Sequence, residues 1–286
     1  MNRIRGHGHF LSLCISLFLI CVPRTTLGSD FEKEIAIVNF DSTTGARYGE
    51  FPSRAVLAKI VEKASEGKPR SIAIKFFFDT TGNEADSKLL EAALGSSGRI
   101  LLQASINPEP PTSKSLDDRF FFKGTTGRIS PMVKGAEGWL PVKSFSDKAA
   151  KVCFVDVAKP DLVPMVTEFR GKPVESLYAC VLGEVYGGGN MVLKDGQAIF
   201  GKRALPIDGA GQVKIPLSNT SLPNTISALD LLEGKVDKKA LEGKVVMVIY
   251  TGSKSPTLPI AGTPVKLHQI FMAQLRDLFD ALGPAN

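Results

Sequence analysis

Glu34-Ile35-Ala36-Ile37-Val38-Asn39-Phe40-Asp41 is a near-continuous apolar run that ends in a carboxylate. A strand with one wet face alternates between apolar and polar residues. A strand covered on both faces does not, so this run reads as a buried strand. A loop with two glycines follows over residues 42–51. Pro52-Ser53 then open a helix in which Val56, Leu57, Ile60, Val61 and Ala64 recur at helical spacing, and Gly67 supplies a stop. Residues 71–78 form a second strand, with Ile72, Ile74, Phe76 and Phe78 on one face and Ala73, Lys75 and Phe77 on the other. Residues 80–83 lead into a helix carrying Leu89, Leu90, Ala93 and Leu94, and residues 99–104 make a third strand. This β-α-β-α-β order predicts an α/β fold: a central mixed, largely parallel sheet flanked by helices.

Beyond this unit, residues 151–157 and 162–169 read as strands, and residues 174–185 as a helix ending at Gly187-Gly188-Gly189. Asp195-Gly196 and Asp208-Gly209 mark turns between short strands, a β-hairpin or meander insertion. Residues 226–232 form a short helix and residues 244–250 a last buried strand. In the final helix, residues 264–282, a stripe of His268, Phe271, Met272, Leu275, Leu278, Phe279 and Leu282 predicts packing along one face, with Gly283 as its cap. The stretch 107–115 reads as a long loop. No linker or repeat divides the chain, so residues 29–286 are expected to form one domain.

The N-terminus has the plan of an export signal. Arg3 and Arg5 precede an apolar run over residues 10–22, Pro23 breaks it, and Thr26 and Gly28 are small enough for a cleavage site before Ser29. The run is shorter than the roughly 20 residues that span a bilayer, so a removable segment over residues 1–28 is preferred to an uncleaved anchor. No comparable stretch follows, and the mature chain is expected to lack a transmembrane segment and to reside in the periplasm or outside the cell. Losing Arg3, Arg5 and Arg24 lowers the formal charge from +6 to +3, a weak basis for binding nucleic acid, and none is expected. Cys153 and Cys180 remain after cleavage. An oxidising compartment allows them to pair. Both sit among apolar residues, however, where cysteine serves as a small hydrophobe, and the unpaired reading is slightly preferred.

Little catalytic chemistry is open to this chain. With His7 and His9 in the export segment, His268 is the only imidazole left, which excludes multi-histidine metal sites. No nucleophile elbow, phosphate loop or dinucleotide-binding glycine pattern is present. No cofactor, no metal and no enzymatic activity are expected, with an exported hydrolase using Asp41 or His268 as the remote alternative. In an open α/β sheet, ligands settle beyond the carboxyl ends of the strands. Asp41 lies at such an end, Arg54 starts the first helix, Lys75 interrupts an apolar strand, and His268 heads the last helix. These four are the candidate ligand-binding residues. An Asp41–Arg54 or Asp41–Lys75 ion pair is the bland alternative, because a buried lysine ordinarily needs a charged partner.

The order of segments also resembles a known family. The apolar strand ending in Asp41 leads through Gly49-Glu50-Phe51-Pro52-Ser53-Arg54 to a helix, then to Ser71-Ile72-Ala73-Ile74-Lys75-Phe76-Phe77-Phe78 and to Leu89-Leu90-Glu91-Ala92-Ala93-Leu94. Near the end stand Ala228-Leu229-Asp230-Leu231-Leu232-Glu233-Gly234, Leu241-Glu242-Gly243-Lys244-Val245-Val246-Met247-Val248-Ile249, Thr263-Pro264 and Leu267-His268. Over nearly the whole mature chain this resembles the type-2 CHASE sensor domain (CHASE2), the extracellular sensory unit of bacterial signal-transduction receptors. Lys75 stands where that family usually carries an acidic residue, and Tyr250 where it has glycine. The resemblance implies a stand-alone, divergent sensory domain that takes an unknown small ligand and acts through a separate membrane-bound signalling protein. The second reading is a structural or interaction component of the cell envelope without a small-molecule ligand.

Overall fold

In the computed structural model, which describes residues 30–106, 115–124, 129–217 and 219–285, the predicted opening run is a fully buried strand. The export segment and most of the loop expected over residues 107–115 lie outside the described residues. The central sheet has seven strands: β1 (Ile35–Phe40), β2 (Ser71–Ile74), β3 (Ile100–Ile106), β4 (Gly138–Trp139), β5 (Lys151–Phe154), β6 (Ile226–Ser227) and β7 (Val245–Tyr250). Its order is β6-β1-β7-β2-β3-β5, all parallel, with the two-residue β4 antiparallel against the end of β3. β7 is the keystone. It pairs with β1 from Ile35–Val245 to Phe40–Tyr250 and, on its other edge, with β2 from Ser71–Val245 to Ile74–Val248.

Side-chain alternation assigns each strand residue to one of two cores. Ala36, Val38, Phe40, Ile72, Ile74, Leu102, Val246 and Val248 pack with helices α1 (Arg54–Ser65) and α2 (Glu84–Ser96). Ile35, Ile37, Ala73, Leu101, Cys153, Val245, Met247 and Ile249 pack with helices α3 (Leu177–Tyr186) and α4 (Leu267–Leu282). The result is the predicted α/β fold, a sheet between two helical layers. Small antiparallel sheets complete it, including the expected meander of Val192–Lys194, Gln197–Phe200 and Arg203–Pro206. Among the described residues no helix is long and apolar enough to cross a membrane.

Several local expectations are corrected. Residues 42–51 are not all loop: Ser42–Tyr48 is a helix, because the Asp41 carboxylate accepts from the Thr44 backbone N–H and hydroxyl, each at 2.8 Å. The strand expected over 162–169 is two strands in different sheets, Leu162–Pro164 beside Gln212–Lys214 and Val166–Phe169 beside Lys172–Glu175. Ser176 caps α3, so residues 174–175 of the expected helix instead end the strand Lys172–Glu175. In the expected helix 226–232, the first two residues are β6. The last helix starts at Leu267, since Thr263–Lys266 pairs with Thr257–Ile260 as a hairpin.

The cysteines are corrected as well. Cys153 on β5 and Cys180 on α3 form a disulfide, with Cα atoms 6.5 Å apart, and both are fully buried. Their apolar surroundings do not decide against pairing, because the strand and the helix face each other across one core. Closing a loop of this length stabilises a fold by about 3 kcal/mol in the chain-entropy picture. The Cys153→Ala/Cys180→Ala double variant is therefore expected to lose stability of that order in urea unfolding. Thiol titration of the denatured, unreduced wild type should find no free thiol from this pair.

Candidate functional site

The cations at the amino edge of the sheet have partners: Lys244, just before β7, donates to the Glu32 carbonyl at 2.8 Å, and three others have carboxylates. Arg70, just before β2, donates to Glu34 at 2.9 Å. Arg99, just before β3, grips the buried Glu184 with Nε at 3.0 Å and Nη2 at 2.7 Å. Lys151, the first residue of β5, donates to Glu175 at 2.5 Å. These pairs tie strand starts to the layers above them.

The carboxyl edge is built differently. Lys75 follows β2, and its backbone N–H makes a ladder bond to the Val248 carbonyl at 2.9 Å. The alternation that puts Ile74 and Phe76 on one face sends Lys75 to the other, where it is 7% exposed. Its ammonium lies 4.9 Å from the centroid of the Phe271 ring. No carboxylate pairs with it among the described residues. Burial pulls its pKa from the ordinary 10.5 down to about 8.

Lys75 forms part of the lining of a cavity of about 660 Å³ at the carboxyl ends of β2, β3, β5 and β7. Its walls are mainly aromatic. Phe51 meets Tyr250 edge-on at 5.1 Å and Phe76 at 5.8 Å; Phe77 meets Trp139 at 4.9 Å; Tyr178 stacks on Phe271 at 4.2 Å. The Tyr178 hydroxyl donates to Gln274 Oε1 at 2.5 Å, and Gln274 Nε2 donates to the Pro160 carbonyl at 2.7 Å, so α3, α4 and the segment after β5 share one hydrogen-bond chain. Burial pushes the Tyr178 phenol far up, and it stays a neutral donor.

His268, in the first turn of α4, also lines the cavity. Its Nδ1 accepts the Tyr250 backbone N–H at 2.9 Å, which stitches the helix to the end of β7 and places the neutral ring's proton on Nε2. Burial, and then the charge of Lys75, hold its pKa well below 6.5, so it remains neutral at pH 7. Gln103 stands beside Lys75 on the neighbouring strand, 2% exposed, and its amide oxygen has no hydrogen-bond partner. Behind Ser105, which also lines the cavity, the Asp156 carboxylate accepts from the Ser105 hydroxyl at 2.7 Å and the Ile106 N–H at 2.8 Å. Burial raises its pKa to about 6.

The four residues singled out from sequence thus divide. Lys75 and His268 converge on one cavity. Asp41 and Arg54 do not line it: Asp41 caps the Ser42–Tyr48 helix, while Arg54 donates to Ser87 Oγ at 2.7 Å and to the Thr80 carbonyl and lies 5.2 Å from the Phe145 ring centroid. Asp41 pairs with neither Arg54 nor Lys75; its Oδ1 accepts from the Thr44 backbone N–H and hydroxyl. Sequence reasoning passed over Gln103 and Gln274, although each interrupts an otherwise apolar face as Lys75 does.

Comparison with protein families matches the CHASE2 domain over residues 14–275. The chain belongs to the CHASE2 family. CHASE2 domains are sensory, typical of the extracytoplasmic sensors of signalling proteins, and the family is not a catalytic one. No curated protein and no solved structure matches this CHASE2 domain. Its cavity is lined from eight separate stretches of chain, so a side chain that suits the fold at each position need not suit the cavity.

Lys75 is a test of that conflict. A folded-state pKa below the unfolded value means that the folded protein binds fewer protons between about pH 8 and 10.5. The penalty is complete below 8, about 3 kcal/mol, and vanishes above 10.5. Lys75→Met is therefore expected to raise stability at pH 7 by about 1–3 kcal/mol, and its advantage over wild type should shrink as pH climbs through that window. Urea unfolding of both proteins at pH 7, 9 and 10.5 measures this.

Proposed function

We propose that residues 29–286 form a single exported CHASE2 sensory domain that binds a small ligand in the cavity holding Lys75 and His268. One observation carries this reading: an unpaired lysine is kept buried at the carboxyl edge of a sheet at whose amino edge Arg70, Arg99 and Lys151 have carboxylates and Lys244 has a backbone carbonyl. An isolated buried ammonium is unfavourable unless something completes it. The cavity lies where open α/β sheets take their ligands, and its size lies within the range of small-molecule sites. The family is sensory, and the Cys153–Cys180 disulfide is consistent with export. Cleavage after Gly28 places the domain in the periplasm or outside the cell.

Ligand binding transmits a signal by stabilising one of two arrangements over the other, in proportion to its differential affinity for them. The receiving partner is a membrane-bound signalling protein. Thermal-shift screening of a metabolite library on the purified protein should find compounds that raise the melting temperature. Lys75→Met and His268→Ala should abolish those shifts, while Asp41→Asn should leave them in place. Stoichiometric co-purification of a membrane partner, with no compound shifting the protein, would instead support an interaction component of the envelope. N-terminal sequencing of the exported protein should begin at Ser29.

A further inference from the structure

The walls and the floor of the cavity make different chemical demands. Phe51, Phe77, Trp139, Tyr178, Phe271 and Leu258 offer apolar surface, and Phe51 and Leu258 are exposed at 59% and 44%. Two lysines line the space, and no aspartate or glutamate does. The two are not equivalent. Lys254 lies 3.5 Å from Glu50, whose carboxylate is held below its usual range by the Ser253 hydroxyl and, more weakly, by Lys254 itself. Lys75 has only the Phe271 ring face. The nearby acid, Asp156, is turned to Ser105 and the Ile106 backbone.

Every polar group left open on the floor except one is a donor. The Lys75 ammonium has N–H groups to give. His268 has used Nδ1 as an acceptor, so Nε2–H remains and makes no hydrogen bond among the described residues. Gln103 adds an amide with an unpartnered oxygen, and an amide turned end for end presents its NH2 instead. A donor-rich floor with one uncompensated positive charge, under aromatic walls, is complementary to a negative headgroup on an apolar body. A cation there would face Lys75 in a site of low dielectric, and a neutral polar ligand would leave the ammonium unpaired.

We propose that the cavity binds an organic monoanion, a carboxylate on an aromatic or aliphatic body, with the carboxylate between Lys75 Nζ and His268 Nε2 and the body among Phe77, Trp139, Tyr178 and Phe271. The proposal rests on the cavity being the ligand site and adds the class of ligand. Phosphate monoesters, with two charges and a larger shell of acceptors, fit a floor of one cation and two neutral groups less well.

The test compares three probes that share one body: 3-phenylpropionate, 3-phenylpropionamide and 3-phenylpropylamine, titrated into the purified protein at pH 7 by calorimetry. The acid should bind at least about tenfold more tightly than the amide, since a charge-assisted hydrogen bond is worth roughly that factor, and the amine should bind most weakly. Lys75→Met should erase the preference of acid over amide while leaving amide binding within a few fold. Lys75→Arg should keep it. Equal or tighter binding of the amide or amine would overturn the headgroup assignment and leave the cavity as a ligand site. Acid binding that is unchanged in Lys75→Met overturns it too. Failure of all three probes to bind, with no shift of Tyr or Trp fluorescence, would count against the cavity itself.

Discussion

Burial of one sheet on both faces is the constraint from which the rest follows. β7 has a hydrogen-bonded neighbour on each edge and a core on each side, so no charged side chain can stand along its length, and none does. Charge is pushed to the strand ends. At the amino edge, Arg70, Arg99 and Lys151 are met by Glu34, Glu184 and Glu175, which belong to the flanking segments. Each pair satisfies a charge, and α3 is held to the sheet by Arg99 on Glu184 and by Arg70 on the Glu184 and Val185 carbonyls. The two edges are thus chemically unlike before any ligand is considered.

At the carboxyl edge the chain leaves the sheet in different directions from neighbouring strands, which opens the space that the cavity occupies. Tyr250 holds that end together. Its backbone N–H reaches His268, its hydroxyl donates to the Glu50 carbonyl and accepts from the Lys254 N–H, and its ring lies against Phe40, Phe51 and Phe76. Gly252 has to be glycine for the same reason: a Cβ there would come within 2.5 Å of the Tyr250 ring. One bulky residue thus joins the end of β7, the loop before α1 and the start of α4.

The architecture was legible in the residues where burial is continuous. The unbroken run of β1 and the stripe of α4 each carry a period that only one element satisfies; the alternation from Ile72 to Phe78 was expected to be strand throughout, but the strand ends at Ile74 and only the alternation of faces continues. The short antiparallel pieces were not legible. Leu162–Pro164 and Val166–Phe169 read as one strand because the switch of partner at Met165 is a tertiary event with no local pattern. Helix Ser42–Tyr48 was hidden by Gly45 within it and Gly49 at its end, although Asp41 with Thr44 is a capping arrangement. Within the candidate site, Lys75 and His268 stood out as polar residues in apolar settings. Asp41 and Arg54 stood out for position alone, and both proved to be satisfied by partners close in the chain or on the next helix. Gln103 and Gln274 gave the same sign as Lys75 but more quietly, since an amide in a strand or helix attracts less notice than a charge. The Cys153–Cys180 bond depended on the facing of β5 and α3, which spacing alone does not contain.

That bond has a mechanical consequence. α3 supplies Tyr178 to one wall of the cavity, and it is held to the sheet by a covalent link through Cys180 as well as by Glu184 on Arg99. α4 supplies Phe271, which stacks on Tyr178, and His268; its first turn is fastened by the imidazole bond to Tyr250, by Gln269 on the Thr220 carbonyl and by the Leu267 N–H on the Pro256 carbonyl. The two helices are anchored differently, α3 by a covalent bond and α4 by hydrogen bonds. Because Phe271 stacks on Tyr178 and Gln274 takes its hydroxyl, the crosslink through Cys180 also fixes, one helix removed, where the α4 side of the cavity stands.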